Sequence, residues 1–463
     1  MQKLMTAFVF MNTFANDNDA LIPEEWAREA LLVLDEKTVM HPLVYTDYGK
    51  EIKRQGDIVH THRPAQFEAE RKVDGDAITK QNAESTDVQI RLDHHLHTSF
   101  IIYDGEESKS FKELVALYLG PAMQSIAQEV DEIIAAQKYA FRTKMVGKLG
   151  TDITKSTLIS INQELNTLLA PQDDQRYFVM GPAMEAALLD VQLFTDASQV
   201  GDDGTALRNA SLGKKFNMWN IMSQNMRAVG ATDSAAAAVN NSGGHAAGST
   251  VITIDGTTGD TIAIGQWVTI AGDMQPRQIT AVSGTPVTQI TLDKGLTYAV
   301  ADNAVVTIMD PGAINLTAGY SAYYTKRMTV DGFTLAPQQG QLATLGTGTA
   351  PYGLIGGKNT TTSIKLDRGI EAAAANNATV NLGPAGEYGL GFHKNAIAFI
   401  SRPLALPRLV NGTSTKSAVM NYKGLNIRVT MTYDADYQGT VVTIDMLAGV
   451  KVLDSNLGVL VCG

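Results

Sequence analysis

The composition of the chain changes near residue 231 and changes back near residue 390. Residues 231–390 carry only 18 charged side chains, 11 acidic and 7 basic, in a chain that has 37 Lys and Arg and 48 Asp and Glu; the same stretch holds 22 of its 41 glycines. Directly afterwards, "GFHKNAIAFISRPLALP" (Gly391–Pro407) reads as a core strand over Ala396–Ser401, closed by Arg402-Pro403. A core strand that resumes after so long an excursion marks the stretch as an inserted domain, with another domain begun before it and completed after it. The insert opens with a small-residue linker, "ATDSAAAAVNNSGGHAAGST", then runs through "TVITID", "QWVTIAG", "RQITAVSG", "TQITLD" and "NAVVTIMDPG". Turn signals such as Asp255-Gly256 and Asp310-Pro311-Gly312 separate these runs, the rhythm of a small barrel or sandwich. The segment "GQLATLGTGTAPYGLIGGKNTTT" reads as a long loop, and residues 311–384 have no assignable fold.

The flanks alternate helix and strand. Pro23 suits the first turn of a helix, "PEEWAREALLVLDEK", whose Trp26, Ala27, Ala30, Leu31 and Leu34 share one side. A strand over Gly56–Arg63 and a second in "DVQIRLDHHLHTSFII" bracket the charged segment Ala65–Thr86, which lacks a hydrophobic face. Together they read as a long two-stranded loop, stable only against another surface. Ser110 would cap a helix that Gly120-Pro121 should break or kink. The part beyond carries Met123, Ile126, Ala127, Val130, Ile133, Ile134 and Tyr139 at helical spacing. Further helices are expected over Lys155–Leu169 and Pro182–Val191, with a short buried strand at "RYFVMGP" between them. The C-terminus reads as a β-meander: Leu425, Ile427, Val429 and Met431 alternate with polar residues, "YDADYQG" turns the chain, and "TVVTIDML" and "GVKVLDSNLGVLVCG" follow.

Chemistry is sparse. The single cysteine, Cys462, cannot form an intrachain disulfide and reads as a small buried residue of a terminal strand. A net charge of −11 argues against a dedicated nucleic-acid binder, though not against a protein that encloses nucleic acid. No apolar run is long enough to cross a membrane as a helix. "MQKLMTAFVFMNTFANDNDA" resembles a weak signal peptide but is broken by Thr6, Asn12 and Thr13, and a terminal arm is the preferred reading. His60 and His62, with His95 and His97, lie at alternate positions on strands expected to pair, and so could share a face and converge on a metal; the competing reading is polar residues on a half-exposed ribbon. "GLIGGKNTTT" fails the phosphate-loop pattern, since Asn359 follows Lys358 and Tyr occupies position 352. The pairs Asp17/Asp19, Asp173/Asp174 and Asp202/Asp203 read as solvated loop carboxylates, and no catalytic constellation or cofactor site is expected.

Taken in order, "KEIKRQGDIVHTHRP", "SIAQEVDEIIAA", "FHKNAIAFISRPL" and "GLNIRVTMTYDADYQGTVVTIDMLAGVKVL" resemble the major capsid proteins of tailed phages, and are most similar to the short-tailed phage coat proteins that carry an insertion domain. The resemblance covers most of the chain outside 231–390. It implies an α+β capsid fold: an N-terminal arm (1–45), an extended two-stranded loop (46–108), a spine helix and peripheral domain (109–170), an axial domain (171–230 and 385–420), an inserted β-rich domain (231–384), and a meander returning to the peripheral domain (421–463). It implies partners as well: further copies of the chain in pentamers and hexamers, a scaffolding protein and portal during assembly, a possible decoration protein, weak nonspecific contact with packaged DNA, and no membrane. Its place would be the virion, assembled in the bacterial host cytoplasm. Crosslinking in some relatives makes Lys72 and Lys80 conceivable donors, without a partner motif here. The competing readings are a bacterial nanocompartment shell, a surface adhesin with an immunoglobulin-like module at 250–310, and an enzyme using the insert as a lid.

Overall fold

A computed structural model describes residues 22–46, 58–63, 69, 71, 72, 74, 75, 78, 80, 86–107, 111–195, 209–230, 234–255, 262–309, 314–356, 359–406 and 415–463. Expectations for the first 21 residues, most of the charged loop, Asp202/Asp203 and Gly357-Lys358 fall outside them. Helices α1 (Ile22–Lys37), α2 (Asp104–Glu107) and α3 (Phe111–Ala136) alternate with β1 (Ile58–Arg63), β2 (Thr86–Arg91) and β3 (His94–Tyr103) in the first third. Next come β4 (Met145–Gly147), α4 (Lys155–Thr167), β5 (Arg176–Met180), α5 (Pro182–Leu189), α6 (Gln192–Thr195), β6 (Lys214–Lys215) and β7 (Met218–Met222). The insert supplies β8 (Ser234–Ala238), β9 (Val251–Thr253), β10 (Trp267–Ile270), β11 (Arg277–Ser283), β12 (Gln289–Leu292) and β13 (Val305–Met309). It goes on with β14 (Met328–Thr329), β15 (Leu342–Leu345), β16 (Tyr352–Gly353), β17 (Ser363–Ile364) and β18 (Val380–Leu382). The chain ends with β19 (Tyr388–His393), β20 (Ile397–Arg402), β21 (Thr415–Tyr422), β22 (Leu425–Asp434), β23 (Gly439–Val452) and β24 (Gly458–Cys462).

By contacts the chain divides into two compact units: residues 1–37, 95–127 and 401–448 form one, and 38–94, 128–400 and 449–463 the other. In the first unit, β21, β22 and β23 form the antiparallel meander that the alternation in Leu425–Met431 foretells, and β3 adds to β23. The apolar side of α1 packs on β21 and β22, with Trp26, Ala27, Ala30, Leu31 and Leu34 all buried. Trp26 stacks on Phe100, and Phe100 on Tyr118. Lys423 fastens the β21–β22 turn to Asp35 of the helix at 2.7 Å.

The second unit is built on a six-stranded sheet in the order β4-β24-β19-β5-β7-β6. Its strands come from both sides of the insert: β5 and β7 precede it, while β19 and β24 follow it and pair with each other, Tyr388 to Cys462 through Phe392 to Gly458. The strand that rejoins a sheet begun before the insert is β19; the run read as the returning core strand, Ala396–Ser401, falls on β20, which does not belong to that sheet. The last strand leaves the meander, because β24 has β4 and β19 as its neighbours. Gly147 holds that junction: its φ is +85° and any Cβ would strike the carbonyl oxygen of Cys462. Helices α4 and α5 cover one face, where Leu158, Ile161, Leu165, Met184 and Leu188 bury against Phe178, Met180, Val459 and Val461. A capping box at Thr154 starts α4, and Pro182 in its first turn starts α5.

The insert holds two modules. In the first, six antiparallel strands run β8-β13-β10-β11-β12-β9, and a bridge from Val239 to Ile254 joins the two ends of that row. The sheet thereby closes into a small barrel around Val239, Ile252, Val268, Ile279, Ile290, Val306 and Ile308. The linker expectation needs correction here, because residues 234–238 form β8: an alanine run carries no β-branched signal, and its pairing with β13 is decided by the partner strand. The second correction concerns residues 314–382. They form short paired strands and isolated bridges around a core of Leu316, Met328, Val330, Leu354, Ile364, Val380 and Leu382, so the described part of the stretch 340–362, read as a long loop, belongs to a packed module. Nor does Gly120-Pro121 break α3, which runs unbroken from 111 to 136. Proline removes one backbone hydrogen bond, and the buried side chains of Leu119, Ala122, Met123 and Ile126 hold the helix on either side of it.

Candidate functional site

The histidines singled out in the sequence do not share a ribbon. β1 pairs with β2, His60 opposite Gln89 and His62 opposite Asp87, while β3 pairs with β23. The apolar alternation from Val88 to Phe100 continues in sequence, but the strand is interrupted at Leu92-Asp93, where Asp93 turns aside to accept the Gly369 N–H at 3.0 Å. His60 is exposed and its Nδ1 lies 2.7 Å from Asp87. His95 and His97 stand on the exposed face of β3 with ring centres 6.3 Å apart. The Nε2 of His95 lies 3.8 Å from Asp445, a carboxylate already held by Arg428. Among the described residues no three His, Cys, Asp or Glu side chains gather as a metal would require.

Asp173 and Asp174 are partnered. Asp174 pairs with Lys214, and Asp173 meets Nε2 of His393 at 2.9 Å while the His393 Nδ1 accepts the Asn395 N–H at 3.2 Å. Both imidazole nitrogens are thus used in fixing the turn after β19. Beside it, the buried Arg176 donates to the carbonyls of Pro171 and Ala170 and to Asn162 and Asn166. This polar cluster stitches β5 to the end of α4 and presents no nucleophile.

The densest chemistry lies where the insert meets the second half of α3 and the turn that follows it. Gln137 donates to Asp367 at 3.0 Å; Asp367 also accepts the Gly353 N–H at 3.0 Å and pairs with Arg368 at 2.9 Å. Glu129 holds Lys365 at 2.8 Å, and Glu132 accepts the Gly356 N–H at 3.1 Å. Arg142 reaches the barrel, pairing with Asp293, donating to the Thr349 carbonyl at 3.1 Å, and lying 5.0 Å over the ring of the fully buried Trp267. Desolvation raises the Glu132 carboxyl against the pull of its backbone donor. Deeper in, burial lowers Lys138 to about 8, with Glu387 opposing; its Nζ faces the Tyr388 carbonyl at 3.5 Å. Glu387 accepts the Met184 N–H at 2.9 Å, at the start of α5. Cys462 is buried, and the desolvation pushes its thiol up to about 12, which fits the structural role read from its position.

Sequence reasoning missed this contact region. Apart from the adjacent Asp367 and Arg368, its charged residues have no spacing that ties them together, and the contacts that join the helix end to the insert, Arg142 to Asp293 and Gln137 to Asp367, span 151 and 230 positions. The only signal was the scarcity of charge in the insert: a charged side chain kept in an uncharged stretch has a reason to be there. What the arrangement does is mechanical, since it fixes two β-modules to one helix end with carboxylates and cations that are nearly all paired. Two clefts open beside it, of about 330 and 520 Å³, which share Arg368, Glu371 and Lys451 in their walls.

No family model matches the sequence, and no curated protein matches it. Among solved structures, the chain is similar to one from Mycobacterium phage Che8, at 12% identity and a TM-score of 0.43 over 92% of this chain and 90% of that one. It is similar to the capsid structure of cyanophage P-SCSP1u, at 12% identity and a TM-score of 0.41, with 92% and 88% covered. It is also similar to the asymmetric unit of the mature capsid of bacteriophage PhiM1, at 9% identity and a TM-score of 0.39, with 89% and 83% covered.

Proposed function

We propose that this chain is the major capsid protein of a tailed phage, a coat subunit that assembles with further copies of itself into the icosahedral shell around a double-stranded DNA genome. The observation that carries this reading is the order of elements along the chain. A two-stranded ribbon, a 26-residue helix, and a sheet split by a β-rich insert are followed by a meander, and the described parts of the sequence phrases that resemble coat proteins fall on those elements. The ribbon of β1 and β2 is of a kind that is marginal in water by itself, which suits a segment that lies on a neighbouring subunit. Shells are held by many modest contacts; one worth about −4 kcal/mol is only millimolar alone, yet several per subunit in a closed lattice hold firmly.

On this reading residues 46–108 are the extended loop, 109–170 contain the spine helix, 171–230 and 385–420 form the axial domain, 231–384 the insertion domain, and 421–463 the return to the peripheral domain. The subunits form pentamers and hexamers, with a scaffolding protein and a portal as assembly partners and a decoration protein as a further candidate. Assembly takes place in the host cytoplasm and the product is the virion. A net charge of −11 keeps contact with packaged DNA weak and nonspecific.

The test is light scattering with negative-stain electron microscopy on the purified chain, alone and co-expressed with the products of its neighbouring genes. Closed shells, tubes or sheets of repeating capsomers are the expected outcome. A monodisperse species of the 49.6 kDa chain under every condition would overturn the proposal.

A further inference from the structure

The smaller cleft, of about 330 Å³, opens between the turn that follows α3, the barrel and the second insert module. Its wall presents four cations, Arg142, Lys294, Arg368 and Lys451, and one carboxylate, Glu371. Three of the four have partners. Arg142 pairs with Asp293, Arg368 with Asp367 at 2.9 Å, and Lys451 lies 3.9 Å from Glu371. Against these three carboxylates stand four basic side chains, so one of them, Lys294, is left without a carboxylate of its own. Among the described residues Lys294 has no hydrogen-bond or ion-pair partner. Its sequence neighbour Asp293 is taken by Arg142 and by the Gln278 N–H at 2.9 Å. Desolvation, and then repulsion from Arg142 and Arg277, bring the Lys294 amine down to about 7 against the attraction of Asp293. An unmatched, half-buried amine in such a basic wall is a group that a bound anion would hold in its protonated form.

We propose that this cleft is a binding site for a phosphate-type oxyanion, with Lys294 and Lys451 as the point charges that hold it and the Arg142 and Arg368 guanidinium groups supplying the positive field around them. A volume of about 330 Å³ accepts an oxyanion with its hydration, and phosphate is the anion that clustered Arg and Lys side chains recognise best. The larger cleft shares Arg368, Glu371 and Lys451 and adds Arg91, but it also adds Asp87 and Asp93, so three cations face three carboxylates and its wall has no basic excess.

The test uses the full chain and inorganic phosphate, titrated at constant ionic strength with chloride as the balancing anion. The ³¹P linewidth is followed for the wild type, Lys294→Met and Lys451→Met. In parallel, the amines of the wild-type chain are acetylated at pH 7 with and without phosphate, and Lys294 is compared by mass spectrometry with the exposed Lys326. Saturable broadening is expected for the wild type, weakened about tenfold or more in each variant, the usual effect of losing a hydrogen bond to a charged group. Phosphate should also slow acetylation of Lys294 about fivefold while sparing Lys326, because raising an amine's pKa from about 7 by one unit cuts its neutral fraction at pH 7 from about a half to about a tenth. Broadening that does not saturate, or that survives both substitutions, overturns the site, as does equal slowing of Lys294 and Lys326. Should Lys294→Met fail to fold, the variant at the half-buried Lys451, Lys451→Met, and the wild-type acetylation decide.

Discussion

Asp131 lies on the buried face of α3 and accepts the backbone N–H of Val39 at 2.9 Å and of Met40 at 3.0 Å, with His41 contributing a third backbone donor. One carboxylate thus fixes the stretch after α1, which continues to Tyr45 and its parallel bridge with Ala398. Desolvation nevertheless raises the Asp131 carboxyl from 3.8 to about 6, outweighing its three backbone donors. The folded state therefore binds this proton more tightly than the unfolded state, so between about pH 4 and 6 the stability due to this group falls as pH rises. A shift of this size corresponds to roughly 3 kcal/mol over the whole window. Asp131→Asn should remove that slope and, by setting an amide N–H against a backbone N–H, lower stability at pH 4 by about 1–3 kcal/mol. Urea midpoints of both proteins from pH 4 to 7 check this; parallel profiles would mean that the carboxyl titrates as it does in the unfolded chain. His41, beside this stretch, packs edge-on against Phe399 at 5.2 Å, a contact no pattern in the sequence announces.

At the scale of elements, the periodic segments were the readable ones. The face of α1, the spacing from Met123 to Ile134 in α3 and the alternation in β22 each carry enough apolar repeats to fix type and orientation. Elements without periodicity were misread. Strand β8 is Ser-Ala-Ala-Ala-Ala and takes its conformation from β13, and the second insert module is made of strands of two to four residues held by bridges and glycine turns. Pro121 is the clearest local conflict, an exposed proline inside a helix that persists. Since proline within a helix is disfavoured by about 3 kcal/mol relative to alanine, Pro121→Ala should stabilise the protein by about 1–3 kcal/mol, part of the gain being offset by a less restricted unfolded chain. A higher melting temperature with unchanged far-ultraviolet dichroism is the expected readout. A lower one would show that the proline has a packing role of its own.

For the molecule as a whole, the attachment of the insert matters most. Arg142 and Asp293 are both largely buried, with about nine-tenths of each side chain out of solvent, and they join the turn after α3 to the barrel. Arg142→Met would leave the Asp293 carboxylate buried without its cation, which costs about 3–5 kcal/mol, whereas removing both charges costs much less. The expected result is a large fall in the urea midpoint for Arg142→Met, recovered in good part by adding Asp293→Asn, with a coupling energy measured by the double-mutant cycle. Additive losses would mean that the pair contributes nothing as a pair. The sequence by itself determined that a β-rich stretch interrupts the strands on either side of it, that α1 and α3 are amphipathic, that a meander runs from Leu425 onward and that Cys462 is buried. These depend on composition and on local repeats, which need no knowledge of distant partners. The tertiary structure alone decided that β1 pairs with β2 and not with β3, that Val239 meets Ile254 to close the barrel, and that residues 314–382 have a core. It also brought Arg142, Lys294, Arg368 and Lys451 around one cleft. Each of these is a pairing between residues whose separation in the chain bears no relation to any helical or strand period, so no local pattern could encode it.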